Sequence, residues 1–145
     1  MPAKAAKPKA KPRPPERDYS HRALLDKLGV KPEHKIAVLG VEDSRFLKDL
    51  AARVHDFAGE NPPAGTADIL FLAAEDTKAL ARLKSLAASL AKTGAIWVVY
   101  PKGQKHIREV DVIAAGKSAG LTDNKVCKFS DTHTALRFVI PLARR

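Results

Sequence analysis

The chain has 145 residues, a length that suits one domain, and its single cysteine excludes an intrachain disulfide. Lysine and arginine outnumber aspartate and glutamate by 26 to 16, which gives a net charge of +10. No apolar run approaches the roughly 20 residues that span a bilayer, and the first residues lack the apolar core of a signal peptide. We therefore expect a cytoplasmic protein that makes no membrane contact.

Residues 1–17 differ in composition from the rest of the chain. They contain five of the ten prolines and almost no apolar side chain larger than alanine, which predicts a disordered tail beside a folded domain of residues 18–145. The segment contains one acidic residue, Glu16, and six basic residues, Lys4, Lys7, Lys9, Lys11, Arg13 and Arg17. Such an arm can contact nucleic acid or the ribosome, because each neutralised phosphate releases counterions. The alternative is a solubilising tail.

The first half of the folded part alternates between helical and extended patterns. A short helix is predicted over residues 20–29, from the cap Ser20 to a closing glycine, and a buried strand follows at residues 35–39. Residues 43–53 carry apolar side chains at helical spacing, which predicts a second helix. Residues 54–57 are a candidate second strand, and a proline- and glycine-rich loop follows them.

The next segment is a fully apolar strand that leads into a helix. Residues 67–74 are almost all apolar, as is typical of a central parallel strand buried on both faces. Glu75 and Asp76 place negative charge at the predicted start of a helix, where the helix dipole favours it. Leucines continue at helical spacing as far as Leu90. The helix is therefore predicted to end at Gly94, the expected C-terminal glycine.

The C-terminal part predicts one more buried strand, a helix and a strand pair. The strand covers residues 95–100 and the helix residues 109–119. Residues 124–130 and 134–140 are both strand-like, and only a short polar turn separates them. Because no helix fits between these two strands, they must pair antiparallel. The fold class expected is α/β, a single Rossmann-like three-layer domain with a mostly parallel sheet and a C-terminal antiparallel pair.

This order of elements resembles the class I S-adenosylmethionine-dependent methyltransferases, whose last strand inserts antiparallel; residues 90–102 resemble a helix-to-strand passage of that family. The chain is also similar to an uncharacterised bacterial domain-of-unknown-function family, over residues 97–102, 123–127 and 134–139. The second resemblance covers most of residues 19–145 and excludes the tail. Both imply a methyltransferase-like Rossmann fold and no established activity.

The loop after the first strand departs from that family. Methyltransferases usually have several small residues there, which let the backbone approach the cofactor, whereas larger residues follow the lone Gly40 at positions 41–43. The family also implies an acidic residue after the second strand, for which Asp56 and Glu60 are the nearest and imperfect candidates. We therefore expect no bound cofactor and no micromolar affinity for S-adenosylmethionine. This compound is the candidate ligand only of the alternative function given at the end of this section.

Ligands of open α/β sheets bind outside the carboxyl ends of the parallel strands. The candidate cofactor-binding residues at those ends are Gly40, Glu42, Glu75, Tyr100 and Lys102. Glu42 and Glu75 could form a carboxylate pair for acid–base chemistry, but both precede helices, where acids serve as caps and dipole partners. Lys102 begins a basic loop that either holds an anion or is simply solvated.

The histidines and the cysteine indicate no catalytic or metal site. The five histidines lack ligand spacing, so we expect no metal. Cys127 lies in a predicted strand and is expected to be a small buried apolar residue. His133 lies in the polar turn beside Asp131, and a hairpin role is favoured there over a Cys–His pair. Trp97 is expected in the core.

Two functions fit this pattern. The first is a non-enzymatic binding module, a degenerate methyltransferase-like domain that contacts a protein or, through its basic tail, nucleic acid. The second is an enzyme that binds a small molecule or S-adenosylmethionine through an altered glycine loop. The loss of small residues after Gly40 favours the first.

Overall fold

The computed structural model describes residues 24–54 and 57–144. The predicted tail, with its six basic residues, and the candidate cap Ser20 lie outside the described residues, as does Asp56. Within the described ranges, no helix combines the length and apolar character needed to cross a membrane.

Strands and helices alternate along the described chain. In order they are β1 (Ile36–Leu39), α1 (Ser44–Arg53), β2 (Phe57–Ala58), β3 (Ala67–Ala73), α2 (Leu83–Ser89), β4 (Leu90–Pro101), α3 (Glu109–Ser118), β5 (Thr122–Lys128) and β6 (His133–Val139). Short 3₁₀ helices lie at Thr77–Arg82 and Leu142–Arg144, and residues 24–27 are helical.

The strands form one sheet in the order β2-β1-β3-β4-β6-β5. Strands β1 to β4 are parallel, whereas β6 lies between β4 and β5 and is antiparallel to both. The three predicted central parallel strands and the C-terminal antiparallel pair are therefore confirmed. The two-residue strand β2 and strand β5 form the edges of the sheet.

Two hydrophobic layers cover the two faces of this sheet, because alternate strand residues point to opposite sides. One layer packs against α2 and α3 and includes Leu70, Leu72, Ile96, Val98, Leu83, Leu86, Val112 and Phe138. The other packs against α1 and residues 24–28 and includes Ile69, Phe71, Trp97, Val99, Phe46, Leu50, Leu25 and Leu28. Trp97 is completely buried, as expected. Its indole N–H donates to the Leu28 carbonyl at 3.0 Å and ties the first described segment to the sheet.

The helix predicted to end at Gly94 is shorter in the structure. It begins as the 3₁₀ helix, continues as α2 and ends at Ser89, so that Leu90 is already the first residue of β4. A Cβ atom at Gly94 would lie 2.6 Å from the Ala67 carbonyl oxygen. The glycine permits a close approach of β4 to β3 at a register shift in their pairing, and it does not end the helix.

The second strand also differs from the prediction of residues 54–57. Val54 is the C-terminal cap of α1, because its N–H still bonds to the Leu50 carbonyl. The described part of strand β2 is Phe57–Ala58, which pairs with β1, and residues 55 and 56 of the predicted strand lie outside the described residues. Glu60 follows it in an exposed bend.

Candidate functional site

A cavity of about 530 Å³ lies at the carboxyl ends of β1, β3 and β4, and the turn between β5 and β6 forms another wall. We call it the carboxyl-edge cavity. Strand β1 has β2 on one side and β3 on the other, which is the position where ligands bind in doubly wound sheets. The volume falls within the roughly 300–1,000 Å³ of small-molecule sites.

The loop after β1 supplies the first wall of this cavity. Gly40 has a φ angle of +84°, in the left-handed region that favours glycine. A Cβ atom there would lie 3.3 Å from the Ala73 Cβ atom, so the loop is also closely packed. Three residues on, the Asp43 carboxylate caps α1 by accepting the Phe46 N–H at 2.9 Å. Glu42 lies between these two fixed points and is exposed at the cavity.

The turn between β5 and β6 supplies the opposite wall. The Ser130 hydroxyl oxygen accepts the backbone N–H groups of Thr132 and His133 at 3.3 and 3.2 Å. The Thr132 carbonyl accepts the N–H of Lys102 at 3.0 Å, and the His133 carbonyl accepts that of Phe129 at 3.1 Å. These bonds hold the turn in one conformation, with Thr132 and His133 facing the cavity.

A row of hydrogen bonds joins this turn to the end of β3. His133 Nε2 lies 2.8 Å from Glu75 Oε2, and His133 Nδ1 lies 2.8 Å from the Thr132 hydroxyl oxygen. An ionised carboxylate can only accept, so Nε2 carries a hydrogen, and in the neutral ring Nδ1 accepts the bond from Thr132. The Glu75 carbonyl is also held, by Nε2 of His106 at 2.8 Å.

The cavity has the opposite charge to the chain as a whole. Its ionisable lining residues are Glu42, Asp43, Glu75 and His133, and none of the described residues that line it is lysine or arginine. The whole chain, by contrast, has a net charge of +10. Carboxylates without cationic partners favour a cationic or neutral ligand over an anion.

The structure brings together three of the five predicted crevice residues. Gly40, Glu42 and Glu75 line the carboxyl-edge cavity. Tyr100 packs into the hydrophobic layer on the other face of the sheet, where burial and, to a lesser extent, Glu109 raise its pKa. Lys102 is exposed, and its backbone braces the Thr132 turn. Neither Tyr100 nor Lys102 lines the cavity.

Cys127 lies on β5, is 8% exposed, and packs among hydrophobic side chains, as expected. Burial raises the pKa of its thiol, while Lys27 and Lys125 act weakly in the other direction. The hydrogen bonds of His133 go to Glu75 and Thr132 rather than to this thiol. The pairing with Glu75 was missed at the sequence level, where the only signal was the run of polar residues in the turn.

No protein-family model matches this chain, and no curated protein matches it in sequence. Solved structures do match it in fold. An S-adenosylmethionine-dependent methyltransferase from Aquifex aeolicus aligns with 89% of this chain and 94% of its own at 14% identity, with a TM-score of 0.66. The chain has a methyltransferase-like Rossmann fold.

Two further solved structures show the same likeness in fold. The pyocyanin biosynthetic protein PhzM aligns with 86% of this chain and 55% of its own at 11% identity, with a TM-score of 0.63. Magnesium protoporphyrin IX methyltransferase from Synechocystis PCC 6803, solved with bound S-adenosylmethionine, covers 86% of this chain and 77% of its own, at 14% identity and a TM-score of 0.61.

At these identities the likeness shows the fold alone. The resemblance to a bacterial domain-of-unknown-function family stays a prediction. We expected this domain to hold no cofactor. The comparisons do not support that expectation, since one of these neighbours was solved with S-adenosylmethionine bound.

Proposed function

We propose that this methyltransferase-like domain is a binding module whose carboxyl-edge cavity takes a small cationic ligand, with S-adenosylmethionine as the first candidate. The observation that carries the proposal is the acidic lining of a cavity at the strand ends of a strongly basic chain. A phosphate-bearing ligand would meet Glu42, Asp43 and Glu75 without a cation to offset them.

S-adenosylmethionine suits this lining for two reasons. Its sulfonium and ammonium groups outweigh its carboxylate, so the molecule is a net cation that carboxylates attract. The faces of its adenine ring are flat and can stack on apolar side chains, and the cavity offers Val41, Val99 and Phe129 as apolar contacts. The missing small residues after Gly40 do not count against this mode of binding, because charge rather than a backbone nest would hold the ligand.

Isothermal titration calorimetry with three ligands tests the proposal. The full chain should bind S-adenosylmethionine with one-to-one stoichiometry, S-adenosylhomocysteine more weakly because its thioether is uncharged, and ATP not measurably. Tighter binding of ATP than of S-adenosylmethionine would contradict the proposal. Absence of binding by all three would remove S-adenosylmethionine from consideration.

A pair of charge-neutralising variants locates the binding. Glu42→Gln removes one carboxylate from the cavity and should weaken S-adenosylmethionine binding by roughly three- to tenfold, equivalent to about 0.7–1.4 kcal/mol. Glu33→Gln makes the same chemical change at the other end of the sheet and should leave the affinity unchanged. Equal effects of the two variants would show that only the net charge of the protein matters.

A second candidate function is contact with nucleic acid through residues 1–17. Six basic residues against one acid within that segment favour it. Such binding should ignore sequence and should fall by roughly one to three orders of magnitude between about 50 and 200 mM salt. Deleting residues 1–17 should flatten that salt dependence. If RNA and DNA binding at low salt is absent or survives the deletion, the tail serves only solubility, and a partner would be a protein.

A further inference from the structure

We propose that Thr132 is a nucleophile that accepts an acyl group from an activated ester or thioester, with His133 as its base and Glu75 as the group that orients the base. The proposal goes beyond ligand binding in the carboxyl-edge cavity and does not require S-adenosylmethionine.

The hydrogen-bonded row carries this inference. In the neutral ring, the Thr132 hydroxyl donates to Nδ1 of His133 at 2.8 Å, and Nε2 of the same ring donates to the Glu75 carboxylate at 2.8 Å. A hydroxyl, an imidazole and a carboxylate in this sequence of bonds form the arrangement that activates serine nucleophiles on unrelated folds. The imidazole accepts the hydroxyl proton, and the carboxylate stabilises the imidazolium that results.

The row is held in place before any ligand binds. The Ser130 hydroxyl oxygen fixes the N–H groups of both Thr132 and His133, and Lys102 fixes the Thr132 carbonyl from the neighbouring segment. The His133 side chain is only 26% exposed, whereas Thr132 is exposed to an incoming reagent. A preorganised hydroxyl in contact with its base requires little rearrangement to react.

The walls of the cavity select the class of electrophile. Beside the turn lie the apolar residues Val41, Val99 and Phe129, which suit a short hydrocarbon or aromatic acyl group. Glu42 and Asp43 line the same cavity and disfavour the dianionic phosphoryl group of a nucleotide. An uncharged acyl donor therefore fits better than a phosphoryl donor.

The reaction step is balanced without a further reactant. The Thr132 hydroxyl oxygen attacks the carbonyl carbon of the acyl donor while its proton moves to Nδ1 of His133. The tetrahedral intermediate collapses, the bond from carbon to the leaving alkoxide or thiolate breaks, and the leaving group takes the proton from His133. The products are an ester on Thr132 and the free alcohol or thiol.

The probe for this step is p-nitrophenyl acetate, added to the full chain at neutral pH, with the acetylated residue located by peptide mass spectrometry. We expect acetyl transfer to Thr132 in the unmodified protein. His133→Gln and Glu75→Gln should each slow acetylation of Thr132 by about tenfold or more, because general base catalysis typically contributes at least that much. Thr132→Val should abolish acetylation at this position.

Thr66→Val is the matched control, because the Thr66 hydroxyl donates to the Pro63 carbonyl rather than to an imidazole. Acetylation of Thr132 should be unchanged in this variant. Acetylation confined to lysines or the N-terminus would overturn the proposal, as would a Thr132 rate that His133→Gln leaves unchanged.

Nitrogen chemical shifts of the His133 ring provide a test that does not depend on the reaction. The row requires hydrogen on Nε2 and a bare Nδ1 in the neutral ring. Thr132→Val should alter the Nδ1 shift, since it removes the hydrogen bond to that atom. If the neutral ring carries its hydrogen on Nδ1 instead, Nδ1 cannot accept the Thr132 proton, and His133 is not the base for Thr132.

Discussion

A second cavity lies at the amino ends of β1 and β3, and it is nearly as large as the first, about 490 against 530 Å³. We call it the amino-edge cavity. Its walls are largely proline and hydrocarbon, including Pro32, Pro62, Pro63 and Phe57. The carboxyl-edge cavity instead presents three carboxylates and no lysine or arginine among its described lining residues, whereas the amino-edge cavity has the single carboxylate of Glu33 beside Lys35. Volume alone therefore does not distinguish the two ends of this sheet, whereas the chemistry of their walls does.

The histidine side chains at the two ends also differ in what they bond. At the amino edge, His34 accepts the N–H of Lys31 and Thr66 donates to Pro63, in each case across three residues of one turn. At the carboxyl edge, the bond from His133 to Glu75 joins residues 58 positions apart. Local bonds shape a turn, while a distant pair brings two segments together at a cavity where a ligand can meet both.

The largest expected effect comes from a glycine substitution at each end. Gly40→Ala forces a side chain into a left-handed conformation and against Ala73, so it should lower the free energy of unfolding by about 1–2 kcal/mol. Gly59→Ala, beside β2 at the other cavity, meets no atom within 4 Å and should change stability by less than about 0.5 kcal/mol. Urea unfolding of both variants measures the difference, and equal costs would contradict the description of the Gly40 loop.

A smaller effect is expected from removing one histidine at each end. His133→Ala breaks the link between β6 and the end of β3 and should cost about 0.5–1 kcal/mol, since the pair is partly exposed. His34→Ala removes only a bond within an exposed turn and should cost less. If chemical denaturation gave His34→Ala the greater loss, the contrast between distant and local bonding would be wrong.

The smallest effect concerns the thiol on β5, two residues before Phe129 of the cavity wall. Because burial raises the pKa of Cys127, less of it is thiolate at any given pH, and iodoacetamide should alkylate it a few-fold more slowly than a free cysteine. The alkylation rate of Cys127 should continue to increase with pH above the pH range in which the alkylation rate of a free cysteine has become constant. Rapid alkylation at neutral pH in the folded protein, with no increase in urea, would refute this.

The sequence predicted the frame of the fold because its strongest signals are local. The apolar runs that became β3 and the centre of β4 could only be buried strands, and the short polar turn before His133 forced β5 and β6 to pair antiparallel. The boundary at Leu90 was missed because that residue continues the helical spacing of leucines and also begins β4. Gly94 was misread as a helix stop, since a close approach to the Ala67 carbonyl leaves no mark in the sequence.

The site was predicted only where it follows directly from strand ends. Gly40, Glu42 and Glu75 lie at the cavity because each follows a parallel strand, and their role in cofactor binding stays a prediction. Tyr100 lies elsewhere, because its position in the alternation of β4 sends it to the opposite face. The bond between Glu75 and His133 depends on β6 lying beside β4, and that strand order is a property of the whole sheet.

The most direct test of the central claim is to map backbone amide shifts by NMR while S-adenosylmethionine is added to the full chain. We expect the shifts to change at residues 40–43, at Glu75 and in the turn at Ser130, Thr132 and His133, all of which line the carboxyl-edge cavity. Residues of the amino-edge cavity, such as Phe57 and Thr66, should not respond. Changes confined to the amino-edge cavity, or none at millimolar ligand, would contradict the account.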